Sequence, residues 1–205
     1  MPSSHTPLTP LPITPPKPFT VRFPSEDVAQ FKRKLEDARL PDAPLFPGNP
    51  ETNTDGSQPG AFDARTMPSL KMLKQFIERW TTLDLAAFEK KLNQYPHFTT
   101  SISWCKQLHF LHQPSKRTGA IPLILIHGWP GSFMEFVHIM QELAEPKDPE
   151  AQAFHVVVPS LPGFTFSSGP PTDKHGQGDV DGYCHLFDSL MRGLGYDRYA
   201  VQGGE

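Results

Sequence analysis

The stretch Ile121–Phe136, IPLILIHGWPGSFMEF, decides the fold of this chain. Its first six residues are almost entirely apolar and predict a short buried strand. The strand stops at His127-Gly128-Trp129-Pro130, where the glycine permits close backbone approach and the proline favours a turn with a cis peptide. Ser132 and Glu135 have the spacing of a capping box, which predicts a helix that opens at Ser132. The resulting strand–loop–helix unit leaves backbone N–H groups free to hold negative charge.

The chain after this unit repeats its pattern. Residues 154–158 are apolar apart from His155, as in a central parallel strand, and residues 198–202 predict a last strand. Between them, apolar residues at helical spacing over 183–194 predict a helix, with Gly195 at its C′ position. Strand, helix, strand, helix and strand from 121 to 202 predict an α/β fold with a mostly parallel sheet.

The chain before this unit is mainly helical. Ser25 begins a predicted helix with acids in its first turn, and apolar spacing predicts two further helices over 70–80 and 85–92. Residues 99–104 and 107–112 predict a hairpin. Residues 1–18 contain seven prolines and predict a disordered arm. We therefore divide the chain into this arm, a helical region over 19–98 and a partial α/β core over 99–205.

Composition limits the partners and the location of the protein. The net charge is −3 and no long basic block occurs, which disfavours nucleic acid as a partner. Apolar runs of a few residues fall far short of the ~20 needed to span a bilayer. The N-terminus lacks the pattern of a signal peptide. Cys105 and Cys184 have no motif spacing, so we expect a reduced, cytoplasmic setting.

Two loops stand out as candidates for chemistry. One is the loop 127–130, for which a tight turn without chemistry stays open as an alternative. The other is Gln202-Gly203-Gly204-Glu205, where small residues after a strand suit a sharp turn that projects a carboxylate, although a frayed terminus would have the same sequence. No G-x-S-x-G motif occurs, so the chain offers no serine nucleophile elbow.

The histidines and the remaining glycines predict no metal or cofactor. His109 and His112 lie three apart on a predicted strand, so their side chains point to opposite faces. Gly176-Gln177-Gly178 lacks the third glycine and the preceding strand of a dinucleotide fingerprint. The histidines at 5, 97, 138, 155, 175 and 185 show no partner in the sequence, and we interpret them as ordinary.

Several motifs in register resemble the N-terminal half of the microsomal-type epoxide hydrolases, which are α/β hydrolases with an additional N-terminal domain. The similarity covers about residues 19–205. Its motifs are Ala38-Arg39-Leu40-Pro41-Asp42, Leu92-Asn93-Gln94-Tyr95-Pro96-His97-Phe98, Leu108-His109-Phe110-Leu111-His112, the loop HGWPGSFMEF, Pro159-Ser160-Leu161-Pro162-Gly163-Phe164 and Tyr199-Ala200-Val201-Gln202-Gly203-Gly204.

The resemblance implies a two-step hydrolysis of a small apolar epoxide to a diol, without a cofactor. A carboxylate opens the epoxide to give an ester, and water activated by a histidine and an acid then hydrolyses the ester. Glu205 stands at the position of the family's nucleophilic aspartate. The Trp129 backbone N–H, in a loop with His127, Gly128 and Pro130, is the implied oxyanion donor.

This sequence departs from the family pattern at its end. Glutamate is one methylene longer than aspartate, and a displacement of about 1 Å can cost on the order of a hundredfold in rate. The family's histidine, acid and lid tyrosines follow the nucleophile in sequence. We therefore expect a chain truncated at the nucleophile position, with an incomplete sheet after its last strand and without activity alone.

Two alternatives to an epoxide hydrolase remain. The first is a non-catalytic fragment that binds a full-length relative or forms a homo-oligomer. The second is another α/β hydrolase, such as a haloalkane dehalogenase, although the additional helical region argues against it.

Overall fold

A computed structural model describes residues 9–42, 70–170 and 179–204. Residues 43–69 and 171–178 lie outside these ranges, as does Glu205. The described elements, in chain order, are β1 Lys17–Pro18, α1 Ser25–Glu36, α2 Leu70–Thr81, α3 Leu85–Leu92, β2 His97–Ile102, β3 Cys105–Gln113, β4 Ile121–Ile126, a 3-10 helix Phe133–Glu135, α4 Val137–Ala144, β5 Phe154–Pro159, α5 Val180–Gly193 and β6 Ala200–Gly203.

The six strands form one mixed sheet in the order β1-β2-β3-β5-β4-β6. β4 is hydrogen-bonded in parallel to β5 on one side and to β6 on the other. β1, β2, β3 and β5 pair in antiparallel fashion. The predicted α/β fold and the predicted hairpin are confirmed, and the parallel part of the sheet consists of β5, β4 and β6.

The core lies on both faces of this sheet because the central strands are apolar at successive positions. Ile124 and Val157 pair across β4 and β5 and join α5 residues in one buried cluster. Leu125 and Val156 alternate with them, so they point to the other face, and they are buried as well. The strands therefore read as continuous apolar runs, which is typical of strands covered on both faces.

Both ends of helix α5 are fixed by local signals, and Gly195 follows its C-terminus as the sequence predicts. Its first turn is capped by the Asp179 carboxylate, which accepts a hydrogen bond from the Gly182 N–H at 2.8 Å. At the other end, Gly195 has a φ of +89°, a conformation that a residue with a Cβ rarely adopts.

The chain separates into two compact units, residues 22–92 and residues 1–21 together with 93–205. The unit 22–92 contains α1, α2 and α3. In this unit Phe23 stacks on Phe88 with ring centroids 6.2 Å apart, and the Asp84 carboxylate accepts a hydrogen bond from the Ala87 N–H at the start of α3. No helix in the described ranges is long and apolar enough to cross a membrane.

The predicted disorder of the arm 1–18 is wrong for its described part, residues 9–18. β1 pairs with β2, and Ile13 forms a bridge with Ile102. A Cβ added to Gly193 would lie 2.6 Å from the Ile13 side chain, which shows how closely the arm packs against α5. Proline lacks a backbone donor, but a short edge strand tolerates it, so the prolines do not prevent this pairing.

We expect Ser189→Ala to lower the free energy of unfolding by about 1 kcal/mol. The fully buried Ser189 hydroxyl accepts a hydrogen bond from the Leu11 N–H at 2.8 Å and donates to the His185 carbonyl, so its removal takes a partner from the arm. Denaturant unfolding measures the change. The control is Ser25→Ala, since Ser25 is exposed. Equal stability of the two variants would contradict a structural role for the arm.

Candidate oxyanion site at the carboxyl ends of β4 and β6

The pairing of β4 with β6 places two loops side by side. Ile126, the last residue of β4, lies opposite Gly203, the last residue of β6. The loop 127–130 and the Gly203-Gly204 segment therefore leave the sheet at the same edge. Ligands of open α/β sheets bind at the carboxyl ends of the parallel strands, which is this edge.

Trp129 lies at the tip of the first loop. Its side chain is 76% exposed, and its peptide bond to Pro130 is cis, as the sequence predicts. His127, at the base of the same loop, is 2% exposed. The structure thus brings the predicted residues His127, Gly128, Trp129 and Pro130 together on one loop, whereas Glu205 lies outside the described residues.

His127 holds the loop through both of its ring nitrogens. Nε2 accepts a hydrogen bond from the Leu161 N–H at 3.1 Å, so it carries no proton of its own. Nδ1 then bears the proton of the neutral ring and donates to the Gly128 carbonyl at 3.0 Å. In a trans peptide the C=O and the following N–H point in opposite directions, so the Trp129 N–H is directed away from the His127 ring.

The predicted capping box fixes the other end of the loop. The Glu135 carboxylate accepts a hydrogen bond from the Ser132 N–H at 3.0 Å, and the Ser132 hydroxyl accepts one from the Met134 N–H at 3.3 Å. A side chain at Gly131 would overlap with the Glu135 carboxylate, so the glycine is needed for this close approach. The box opens the 3-10 helix instead of the predicted α-helix, and α4 begins only at Val137.

The structure reveals a buried histidine pair that the sequence analysis missed. His97 Nδ1 lies 2.8 Å from His109 Nε2, and His109 Nδ1 lies 2.8 Å from the Ser160 hydroxyl. His97 therefore has a buried partner that its sequence position did not indicate. β2 pairs Thr99 with His109. His97 lies two residues before Thr99 on the same face of the sheet, so its side chain is a diagonal neighbour of His109. Knowledge of the hairpin register would have predicted this pair.

Burial lowers the pKa of His109 to about 3, with a further contribution from the neighbouring His97 imidazole. His112 points to the opposite face, as predicted, where its Nε2 lies 3.0 Å from the Tyr196 hydroxyl. Burial and the nearby His155 lower the pKa of His112 to about 4. Both rings are neutral at physiological pH. Among the described side chains, no three His, Cys, Asp or Glu residues are arranged to hold a metal ion.

Comparison with known proteins gives two family matches. Residues 16–136 match the family model described as epoxide hydrolase N terminus, and residues 121–204 match the model of the alpha/beta hydrolase fold. The first match covers more than half of the chain and includes the loop 127–130. The chain belongs to the epoxide hydrolase family.

Solved structures and a sequence relative agree with this membership. The epoxide hydrolase of Aspergillus niger is 37% identical with a TM-score of 0.72, over 94% of this chain and 46% of that one. The juvenile hormone epoxide hydrolase of the silkworm Bombyx mori is 31% identical with a TM-score of 0.75, over 94% and 42% of the two chains. Juvenile hormone epoxide hydrolase 1 of Ctenocephalides felis is 32% identical over 92% of this chain and 38% of its own length.

The alignments with three curated relatives cover more than nine tenths of this chain. The chain spans less than half of the length of each of these relatives. The matches to the epoxide hydrolase N terminus favour this family over the haloalkane dehalogenases that the sequence left as an alternative.

We expect the stability of the protein to fall as the pH decreases from about 6.5 towards 3. The unfolded histidine binds a proton near its ordinary pKa, while folded His109 stays neutral until about 3, so acid favours the unfolded chain. Denaturant unfolding at several pH values measures the slope. His109→Asn should make the slope shallower, and His138→Asn, at an exposed position on α4, should not. Identical slopes in all three proteins would contradict a neutral buried His109.

Proposed function

We propose that this chain contributes the nucleophile and one oxyanion donor to an epoxide hydrolase active site. The observation that carries the proposal is the parallel pairing of Ile126 with Gly203, which brings the loop 127–130 beside the segment that leads to Glu205. Within this family, that arrangement suits attack by a carboxylate from one loop and stabilisation of negative charge by the other.

The proposed chemistry has two steps. A Glu205 carboxylate oxygen attacks an epoxide carbon, the ring C–O bond breaks, and the released alkoxide takes a proton from one of the family's lid tyrosines to leave a hydroxy ester. Water then attacks the ester carbonyl, and the Trp129 N–H donates a hydrogen bond to the resulting oxyanion. The ester C–O bond breaks, the leaving alkoxide takes from the histidine the proton that water gave up, and the diol departs; the carboxyl proton returns to the tyrosine, which restores the carboxylate. The histidine that activates the water belongs to the part of the family fold beyond residue 205.

The proposed substrate is a small apolar epoxide. The exposed Trp129 indole lies on the same residue as the donor N–H, so it offers apolar surface next to the reacting atoms. Cys105 and Cys184 are both free thiols, which supports the proposal that the protein works in a reducing, cytoplasmic setting.

A binding role is favoured by one observation, the exposure of β6. All four residues of β6 are exposed, and among the described strands β6 is paired with β4 alone, so its outer edge offers backbone groups to another strand. We therefore propose association with a full-length relative, or with a second copy, as the second candidate function. Co-purification with the Aspergillus niger enzyme tests the first partner, and sedimentation of the isolated chain tests the second.

We expect the isolated chain to show no turnover of styrene oxide above buffer. When it is combined with the part of the Aspergillus niger enzyme that it does not cover, turnover should appear. Glu205→Asp should raise this rate on the order of a hundredfold, because the shorter side chain restores the family's geometry. Gas chromatography of the diol measures each rate.

Glu205→Gln is the matched control, since it keeps the length of the side chain and removes its nucleophilic oxygen. Co-purification first establishes that the two polypeptides associate. An associated pair that carries Glu205→Asp and shows no turnover would overturn the proposal. Unchanged turnover with Glu205→Gln would do the same.

A further inference from the structure

We propose that His97, His109 and Ser160 form a positioning network that holds the Leu161 N–H on His127 and thereby fixes the direction of the Trp129 N–H. The importance of that direction for catalysis rests on the proposed function, whereas the network itself rests on the contacts below. None of the three residues belongs to the loop 127–130, so the proposal adds positioning residues to the candidate oxyanion site.

The first step is a continuous chain of hydrogen bonds. It runs from His97 through His109 to Ser160, each at 2.8 Å, and on to the Thr165 hydroxyl, 2.6 Å from the Ser160 hydroxyl. The side chains of His97, His109 and Ser160 are at most 4% exposed. In a site of low dielectric such bonds are strengthened, and water cannot replace a lost partner.

The second step is the attachment of the segment 160–168 to β3. The Ser160 N–H donates to the His109 carbonyl at 2.8 Å, and the His109 N–H donates to the Ser167 hydroxyl at 3.0 Å. The Ser167 hydroxyl in turn donates to the Ser160 carbonyl at 2.9 Å. Both the backbone and the ring of His109 therefore bind this segment. Ser160 is bound through its hydroxyl, its N–H and its carbonyl.

The third step links the segment to the candidate oxyanion loop. Leu161 directly follows Ser160, and its N–H is the donor to His127 Nε2. This bond keeps Nε2 free of a proton and so keeps the proton on Nδ1, where it binds the Gly128 carbonyl. Gly128 C=O and Trp129 N–H belong to one peptide plane, so a rotation of the carbonyl rotates the donor as well.

Aromatic side chains connect the network to the segment that follows the loop 127–130. The Phe133 ring packs edge-on against His97 and His109, with centroids 5.6 Å and 5.2 Å apart. Phe19 and Phe166 also pack edge-on against His109, with ring centroids 5.4 Å and 5.1 Å away. Phe133 follows the loop by three residues, so the buried histidines contact the segment after the loop while Leu161 binds His127 at its start.

The network predicts what happens to His127 when it is broken. Without the His109 ring or the Ser160 hydroxyl, the segment 160–168 loses the bond between the His109 ring and Ser160, and we expect the Leu161 N–H to move away from Nε2. The proton of His127 is then free to occupy either nitrogen, and the Gly128 carbonyl loses its donor for part of the time. The tautomer of His127 therefore reports on the network.

The test is histidine ¹⁵N NMR of the chain at neutral pH, with signals assigned by substitution. The wild-type His127 should show a single Nδ1-protonated tautomer, and Ser160→Ala and His109→Phe should convert it to a mixture. His109→Asn, whose amide takes the place of Nδ1, should restore part of the wild-type signature. His112→Phe is the matched control, because His112 lies on the same strand and points to the opposite face.

Circular dichroism of each variant establishes that it is folded, and Ser160→Ala, which removes only an oxygen, carries the test if His109→Phe does not fold. A folded Ser160→Ala with an unchanged His127 tautomer would overturn the proposal, as would an equal change in His112→Phe. The NMR signature does not depend on turnover. If Ser160→Ala alters the His127 tautomer but the Glu205→Asp pair shows no epoxide turnover, the proposed function is rejected and the network still stands.

Discussion

The hydrogen bonding of β4 on both of its edges is the constraint on which the site depends. Because β4 pairs in parallel with β5 and with β6, the carboxyl ends of three strands meet at one edge of the sheet. The register also decides which residues leave the sheet side by side, since a shift by one residue would exchange the two faces of a strand and separate Ile126 from Gly203. The loops that follow β4 and β6 take their positions from this register.

The loops at this edge are held by polar side chains that are themselves buried. His127, His109 and Ser160 all lie inside the protein, and in the described part of the chain no buried side-chain nitrogen or oxygen lacks a hydrogen-bond partner. Leaving such a group unpaired costs ~1–3 kcal/mol. Other conformations of the loop 127–130 would leave buried polar groups unpaired, and this cost maintains the observed conformation. The Trp129 side chain, in contrast, is exposed to solvent.

Local sequence signals predicted the elements around the site well. The apolar run of β4, the Ser132 and Glu135 spacing and the cis Trp129–Pro130 peptide all depend on neighbouring residues, and each is confirmed. The features that were missed depend on distant partners. The His97–His109 pair requires the hairpin register and burial beneath Phe133, and the strand at 17–18 requires β2, so neither could be read from its own segment. Glu205 stays a prediction.

The arm has a consequence for the order in which the protein is assembled. Leu11 binds Ser189, a partner that lies 178 positions later in the chain, and β1 pairs with a strand some eighty residues away. During synthesis, residues 9–18 of the arm leave the ribosome before β2 or α5 has been made. Contacts so distant in sequence pay the largest loop-closure entropy and form slowly. A segment made before all of these partners is thus expected to be among the last to take its place, after α5 has formed.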